Sequence, residues 1–311
     1  MRQWLVGVVV LVLAVPAAAR QNPPGIRWSR NVKQGVAYAR QTRRPLMFWV
    51  LGSSRTRDED LERAQRRAFS DPIVVELASR FVTLWLSRSA HRDLLAKWGL
   101  PPRANLEIVF TTPTGEKIDT LAPGGVADPA VLARKMTLVF RHYRDVLFER
   151  ELRAALEDST TPESELRAAL RLIADFVILS AERAVLALLE RQELSAAVRQ
   201  DLYTALAALS TPACVDALLK RATADPAAAA ALARCTPDAA ERMLPALDGE
   251  DPELHRAVYR AVTTICGVRD VRSDRFWHGR IESLKRKEVQ RVRELVIETA
   301  RRWRERYAEY R

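Results

Sequence analysis

Short apolar runs in the first half of the chain predict a β-sheet. The run Leu46–Leu51 is continuously apolar, which is typical of a central strand buried on both faces. A Thr112-Pro113-Thr114-Gly115 turn predicts a hairpin between two later strands. Together these signals predict strands over 46–51, 81–86, 106–110 and 117–121. Between them, helical spacing and capping residues predict helices over 31–42, 58–69, 72–78 and 92–98, with a long helix from Asp128.

After Arg144 the pattern changes to helices rich in Ala and Leu. At the start of several predicted helices, Pro follows a capping Thr or Asp. Alternate starts have similar spacing: Pro212 and Pro237 are 25 residues apart, and Pro226 and Pro252 are 26 apart. Such short helix pairs must stack on their neighbours, which predicts a curved array with a concave face for a partner. The predicted helices cover 162–179, 181–191, 193–209, 212–222, 226–234, 237–246, 252–266 and 273–307.

The first nineteen residues have the pattern of a secretory signal peptide. One cation precedes an apolar stretch from Trp4 to Val15, followed by Pro16 and small residues that fit cleavage after Ala19. The stretch is short for a membrane span, which needs about 20 residues. We therefore predict an exported protein, periplasmic or secreted, that contacts a membrane only if the signal peptide stays uncleaved.

Composition places the chain among ordinary folded proteins. It has 311 residues, 48% of them hydrophobic and 29% charged, which argues against disordered and collagen-like classes. The net charge of +11 is uneven: residues 20–150 carry 23 basic and 13 acidic side chains, whereas residues 151–268 carry 12 and 18. The two basic segments of the chain, residues 20–150 and 269–311, suggest a polyanion-binding protein as one alternative. Arg supplies 43 of the 50 cations, which favours a general compositional bias, so nucleic acid is not the expected partner.

The first half resembles the thioredoxin family over about residues 26–145. The resemblance rests on the order helix, strand, helix, strand, helix, hairpin, helix and on four phrases. These are Arg44-Pro45-Leu46-Met47-Phe48, Phe69-Ser70-Asp71-Pro72, Phe81-Val82, and Val109-Phe110 before the hairpin turn. The resemblance implies a thioredoxin-like α/β/α domain over 20–150.

The family's redox chemistry depends on a CxxC motif after the first long strand, where a helix N-terminus lowers a thiol pKa. Here that loop contains Ser53, Ser54, Arg55, Thr56, Arg57 and Asp58, and no cysteine precedes Cys214. We therefore predict a degenerate, redox-inactive loop that serves as a contact surface, with Trp49 packed in the core. A serine nucleophile with His91 as base lacks the sequence context of known hydrolases.

The second half, residues 151–311, resembles HEAT-like repeats, and its last helix is predicted to cap the array. Cys214, Cys235 and Cys266 lie on apolar stripes, which indicates packing, although Cys214 and Cys235 are also a possible disulfide in an oxidising compartment. The histidines His91, His142, His255 and His278 lack metal-ligand spacing. We predict no metal, no cofactor and no catalytic residue.

Together these patterns predict a fold of class α/β plus all-α: a thioredoxin-like domain followed by a solenoid-like helical repeat domain. The predicted function is that of a non-enzymatic, exported interaction or scaffold protein with a protein or peptide partner. Two alternatives stay open at this point. One is a thiol-disulfide accessory protein that uses the C-terminal cysteines, and the other is the polyanion-binding protein.

Overall fold

The computed structural model describes most of the chain after the predicted signal peptide. The described residues are 25–52, 58–101, 105–191, 193–268, 272–273, 276–277, 282–307 and 310. The signal peptide, 1–19, lies outside them. Within them the architecture is mixed α/β, with a sheet in the first half and helices throughout the second. At this level the predicted class, α/β plus all-α, is confirmed.

In the described part of the first half, four strands form one mixed sheet. They are β1 (Leu46–Leu51), β2 (Val82–Ser87), β3 (Glu107–Thr111) and β4 (Lys117–Leu121). Their order in the sheet is β2-β1-β3-β4. β1 is parallel to β2 and antiparallel to β3, and β3 is antiparallel to β4. All six residues of β1 are buried, which confirms the central strand predicted from its apolar run.

Helices cover both faces of the sheet. They are α1 (Val32–Thr42), α2 (Glu59–Ala68), α3 (Pro72–Ala78), α4 (Arg92–Lys97), α5 (Pro123–Val126) and α6 (Pro129–Leu147). Alternate residues of β1 point to opposite faces, so Met47 and Trp49 join a core with α3 and α6. Phe48 and Val50 instead pack with α1 and with Leu95 of α4.

The second half continues as a series of helices from the end of α6. A π-helical turn, Phe148–Leu152, leads into it, and 3₁₀ segments cover Leu179–Ala181 and Glu241–Leu247. The α-helices are α7 (Arg153–Glu157), α8 (Glu163–Phe176), α9 (Glu182–Leu188), α10 (Ala196–Leu209), α11 (Pro212–Leu219), α12 (Pro226–Leu232), α13 (Pro237–Ala240), α14 (Pro252–Ile265) and α15 (Glu282–Tyr307).

Three local predictions need correction. The helix expected over 237–246 divides into α13 and a 3₁₀ segment, because Pro245 has no N–H to donate within a regular α-helix. Leu106 is not the first residue of β3 but precedes it with φ +62°. The last helix was predicted from residue 273, but Arg272 and Ser273 are not helical; Phe276 and Trp277 are helical, 278–281 lie outside the described residues, and the helix is described over Glu282–Tyr307.

Arginines join successive helix pairs of the second half. Arg191 donates to the carbonyl oxygens of Leu156 and Glu157, at 2.6 and 3.0 Å. One pair later, Arg221 donates to the carbonyl oxygen of Leu189 at 3.3 Å. These bonds satisfy carbonyl groups at or just beyond the C-terminal ends of α7 and α9, where intrahelical donors are lacking.

The last helix, α15, connects the C-terminal part of the helical half to the sheet half. Near its start, Glu288 accepts from the Tyr259 hydroxyl of α14 at 2.8 Å. Near its end, Tyr307 forms a hydrogen bond with Glu76 of α3. It therefore does more than cap the array, which was its predicted role, because it spans the distance back to α3.

One hydrophobic core is shared by the two halves. The Phe140 ring of α6 lies 5.8 Å from the Phe81 ring of the sheet half and 5.6 Å from the Phe176 ring of α8, between centroids. Buried residues from Met47 to Val296 belong to the same contiguous cluster. The sheet half and the helical half are thus packed together through α6.

Candidate functional site

The end of β1 is the place where the sequence predicts a degenerate redox loop. Ser53, Ser54, Arg55, Thr56 and Arg57 lie outside the described residues, so the predicted contact surface stays a prediction. The two flanks of the loop are described, and each is held by a hydrogen bond to a neighbouring side chain or backbone group.

On the first flank, the Gly52 amide donates to Asn105 Oδ1 at 2.7 Å. A Cβ at Gly52 would lie 2.9 Å from the Asn105 side chain, so this close approach requires glycine. On the second flank, the Asp58 carboxylate caps α2 by accepting from the Leu61 amide at 3.0 Å. The loop therefore starts and ends at fixed points.

A buried amide of α2 lies against β1. Gln65 of α2 is fully buried, and its Oε1 accepts from Trp49 Nε1 at 2.9 Å. Its Nε2 donates to the carbonyl oxygens of Leu106, at 2.7 Å, and Pro123, at 2.9 Å. The prediction that Trp49 packs in the core is confirmed. Because an amide does not titrate, Gln65 supplies structural order here and no acid or base.

Two titratable side chains lie near the same end of the sheet. Glu107 is the first residue of β3, and burial raises the pKa of its carboxyl. His91 Nδ1 lies 3.0 Å from the Ser87 carbonyl oxygen, just before α4 begins. The structure gives no geometry for His91 against Ser53 or Ser54, because both serines lie outside the described residues.

The three cysteines lie in the helical half. Cys214 and Cys235 are buried, and Cys235 Sγ donates weakly to the Ala231 carbonyl oxygen at 3.9 Å. Cys266 is half-buried, and burial raises the pKa of its thiol, which lowers the thiolate fraction at neutral pH. No disulfide joins Cys214 to Cys235 in the structure, so that cross-link stays a prediction.

Several cations of α15 that suggested a polyanion-binding surface are engaged in ion pairs. Arg301 and Arg302 both contact Glu298, at 2.8 and 2.7 Å. Arg304 contacts Glu241 of the neighbouring 3₁₀ segment at 2.8 Å. These pairs reduce the positive field that this helix presents to a polyanion.

A cavity of about 630 Å³ lies between the start of α14 and the first half of α15. We call it the C-terminal cavity; its lining includes Asp248, His255, Arg256, Trp277, Lys285 and Arg293. Its volume is in the range that binds small molecules or short peptide segments. The wall combines an aromatic ring, aliphatic side chains and charged groups.

His255 is the titratable group at the centre of this wall. Its ring lies 4.6 Å from the Trp277 ring, between centroids, at an interplanar angle of 60°. Burial lowers the pKa of His255, while a hydrogen bond to the Leu247 backbone and the charge of Asp248 act in the opposite direction. Burial is the larger effect, so the imidazole is mainly neutral at pH 7.

No known family model matches this chain, and no curated protein matches it. Its function is therefore argued from its own residues. None of the described helices is both long enough and apolar enough to cross a membrane. Within the described ranges, no group of three His, Cys, Asp or Glu side chains is placed to hold a metal ion.

The C-terminal cavity was not predicted from the sequence. In the sequence, His255 lacks metal-ligand spacing, and Trp277 falls within the range predicted for the last helix. Neither belongs to a motif, and the two are brought together where the segment that precedes α15 packs on α14.

Proposed function

We propose that this chain is a non-enzymatic interaction or scaffold protein. In this proposal a thioredoxin-like domain without redox cysteines is joined to HEAT-like helical repeats, and the protein acts by binding a protein or peptide. The protein is exported to the periplasm or the exterior after cleavage of its signal peptide behind Ala19. It has no catalytic residue and requires no cofactor.

The observation that carries this proposal is the position of the sulfur atoms. In the family that the first half resembles, the reactive thiols follow the first long strand, which here is β1. No cysteine precedes Cys214, and both Cys214 and Cys235 are buried in the helical core. Cys266 is half-buried with a raised thiol pKa, which disfavours a role as nucleophile.

The arrangement of elements supports the two resemblances. The first half runs helix, strand, helix, strand, helix, hairpin, helix, as the thioredoxin-like proposal requires once the short pieces α3 and α5 are set aside. In the second half, hydrogen bonds from Arg191 and Arg221 recur 30 residues apart and join neighbouring helix pairs. Such repetition favours an array with an extended surface for a partner.

The experiment is an insulin-reduction assay with the chain from residue 20 to its end. We expect no acceleration over the background rate of dithiothreitol alone. The matched control replaces all three cysteines with serine, and it should give the same rate. Turnover by the chain that the triple-serine variant loses would overturn the proposal and favour the thiol-disulfide alternative.

A second experiment separates a protein partner from a polyanion. The immobilised chain is incubated with the exported fraction of its source cells and washed with increasing salt. A shape-complementary protein partner should stay bound at about 0.5 M salt, whereas polyanion binding falls steeply with the logarithm of salt concentration. Retention of nucleic acid or polysaccharide alone, lost at moderate salt, would favour the polyanion-binding alternative.

A further inference from the structure

Three side chains that line the C-terminal cavity each carry a buried nitrogen atom that lacks a hydrogen-bond partner. These atoms are His255 Nε2, Trp277 Nε1 and Arg293 Nε. A buried polar atom without a partner costs free energy, so such atoms are uncommon in folded proteins. Their occurrence around one cavity suggests a binding site.

The chemistry of these atoms restricts the ligand. The indole nitrogen of Trp277 and the Nε of Arg293 can only donate hydrogen bonds. These nitrogens are closed off from solvent, so a ligand in the cavity reaches them only after a small shift of their side chains. A ligand that then bonds both donors must present acceptor oxygens. His255 Nε2 can accept a hydrogen bond in the neutral ring or donate one in the protonated ring, so it accommodates a carboxylate in its ionised or protonated form.

The charges of the lining favour an anion. Among the described residues that line the cavity, cations exceed carboxylates by one: Arg256, Lys285, Arg286 and Arg293 against Asp248, Glu250 and Glu282. Three of these cations, Lys285, Arg286 and Arg293, lie on α15, within a basic segment, 269–311, that carries 14 basic and 8 acidic side chains. The lining thus has a small excess of positive charge, which α15 supplies.

Ion pairs engage Arg293 and Lys285 but leave Arg286 able to contact a ligand. Arg293 is paired with Asp248, and Lys285 with Glu282 at 2.8 Å. Arg286 is exposed and forms no ion pair with any residue that the structure describes. Arg286 therefore stands at the rim as a cation that can meet a ligand carboxylate.

Most of the uncharged lining is apolar, and this part defines the rest of the ligand. Leu247, Pro252, Trp277 and Val289 contribute aliphatic and aromatic surface to the wall. An aromatic or aliphatic group attached to the carboxylate would bury its own surface there. We propose that the C-terminal cavity binds a carboxylate attached to an apolar group, as in the C-terminal residue of a peptide or a small aromatic acid.

This inference rests on the proposed interaction function, because it assigns that function a site and a ligand chemistry. The probes are acetyl-dialanyl-phenylalanine with a free carboxyl group, the same peptide as its C-terminal amide, and benzoate. Binding is followed by NMR of the imidazole C–H signals. The chain has four histidines, so the His255→Gln variant assigns the reporter signal by its loss.

We expect the free-acid peptide to shift the His255 signal and to bind at least tenfold more tightly than the amide. The Trp277→Phe substitution keeps a ring but removes the donor, and it should weaken free-acid binding about tenfold. Arg286→Gln should weaken it about threefold. The matched control is Lys287→Gln, which removes the same charge from the same helix outside the cavity lining.

The outcomes separate the possible sources and failures. Tighter binding of the peptide than of benzoate assigns the site to peptide carboxylates, and the reverse assigns it to small aromatic acids. Equal binding of acid and amide, no binding of any probe, or unchanged binding by Trp277→Phe would overturn the inference. Failure of these titrations would leave the proposed function in place as long as the insulin assay showed no turnover. Failure of the cavity inference can therefore be distinguished from failure of the proposed function.

Discussion

The two halves of the molecule organise their polar groups differently. In the sheet half, a single buried amide, Gln65, holds together β1, α2, α5 and the start of β3. In the helical half, the half-buried arginines Arg191 and Arg221 each make one or two hydrogen bonds to backbone carbonyl oxygens of a preceding helix. In the sheet half, one side chain, Gln65, thus makes the hydrogen bonds that join several elements. In the helical half, hydrogen bonds between helices are divided among several arginines.

The two halves should therefore differ in how well they tolerate substitution of a hydrogen-bonding side chain. A buried group with three hydrogen bonds leaves several partners unsatisfied when it is removed, and each costs about 1–3 kcal/mol. When a half-buried arginine such as Arg221 is removed, water can replace it at the single carbonyl oxygen, so the cost is smaller. Substitutions in the two halves should therefore differ in size even where they remove the same number of hydrogen bonds.

The largest expected effect comes from the shared core between the halves. Phe140→Ala removes a ring packed between Phe81 and Phe176, and should lower the free energy of unfolding by about 3–5 kcal/mol. Denaturant unfolding measures this, with Leu138→Ala as control on the exposed face of the same helix. If the halves share one core, every spectroscopic probe of unfolding should follow the same single transition. Two separate transitions in the unsubstituted chain would contradict that.

The next largest effect tests the buried amide. Gln65→Leu should lower the free energy of unfolding by about 3 kcal/mol, because the Trp49 indole and the Leu106 carbonyl lose their partner. Gln200→Leu on the exposed face of α10 is the matched control and should change stability by less than about 0.5 kcal/mol. Equal effects of the two substitutions would remove the contrast between the halves.

A smaller effect is expected for one of the repeated arginines. Arg221→Met should lower the free energy of unfolding by about 1 kcal/mol, since the Leu189 carbonyl can bond to water instead. Lys220→Met, beside it and exposed, controls for the loss of a charge. A loss of about 3 kcal/mol for Arg221→Met would show that the helical half depends on single groups as strongly as the sheet half does.

The smallest effect is a pH dependence from His255. Its pKa is lowered in the folded state, so the unfolded chain binds the proton more readily, and stability decreases as the pH falls below the ordinary value of 6.5. The loss should stay under about 1 kcal/mol because the side chain is only half-buried. His255→Gln should flatten this part of the stability curve, whereas the exposed His142→Gln should leave it unchanged.

Some of the fold follows directly from local pattern. The six apolar residues of β1 and the turn before β4 were predicted at their observed positions, because burial and turn chemistry act over a few residues. The starts of α11, α12 and α14 were predicted from a capping residue followed by proline. Signals of this kind need no knowledge of tertiary contacts.

Other features depend on contacts between distant parts of the chain. Gln65 lies on a charged amphipathic helix, and only the packing of α2 against β1 and β3 shows that its amide is buried. The same holds for the C-terminal cavity, where His255 and Trp277 come together through tertiary packing. The return of α15 to α3 likewise has no local signal. Sequence periodicity predicts that a helix has an apolar face but not which element covers it.

The central claim is that the cysteines are packing residues and that the first half carries no redox chemistry. Its most direct test is the rate of alkylation of each thiol in the folded chain, followed by mass spectrometry. We predict that Cys214 and Cys235 react only as the protein unfolds, and that Cys266 reacts more slowly than an exposed thiol because burial raises its pKa. A thiol that reacts faster than free cysteine at neutral pH would contradict the account.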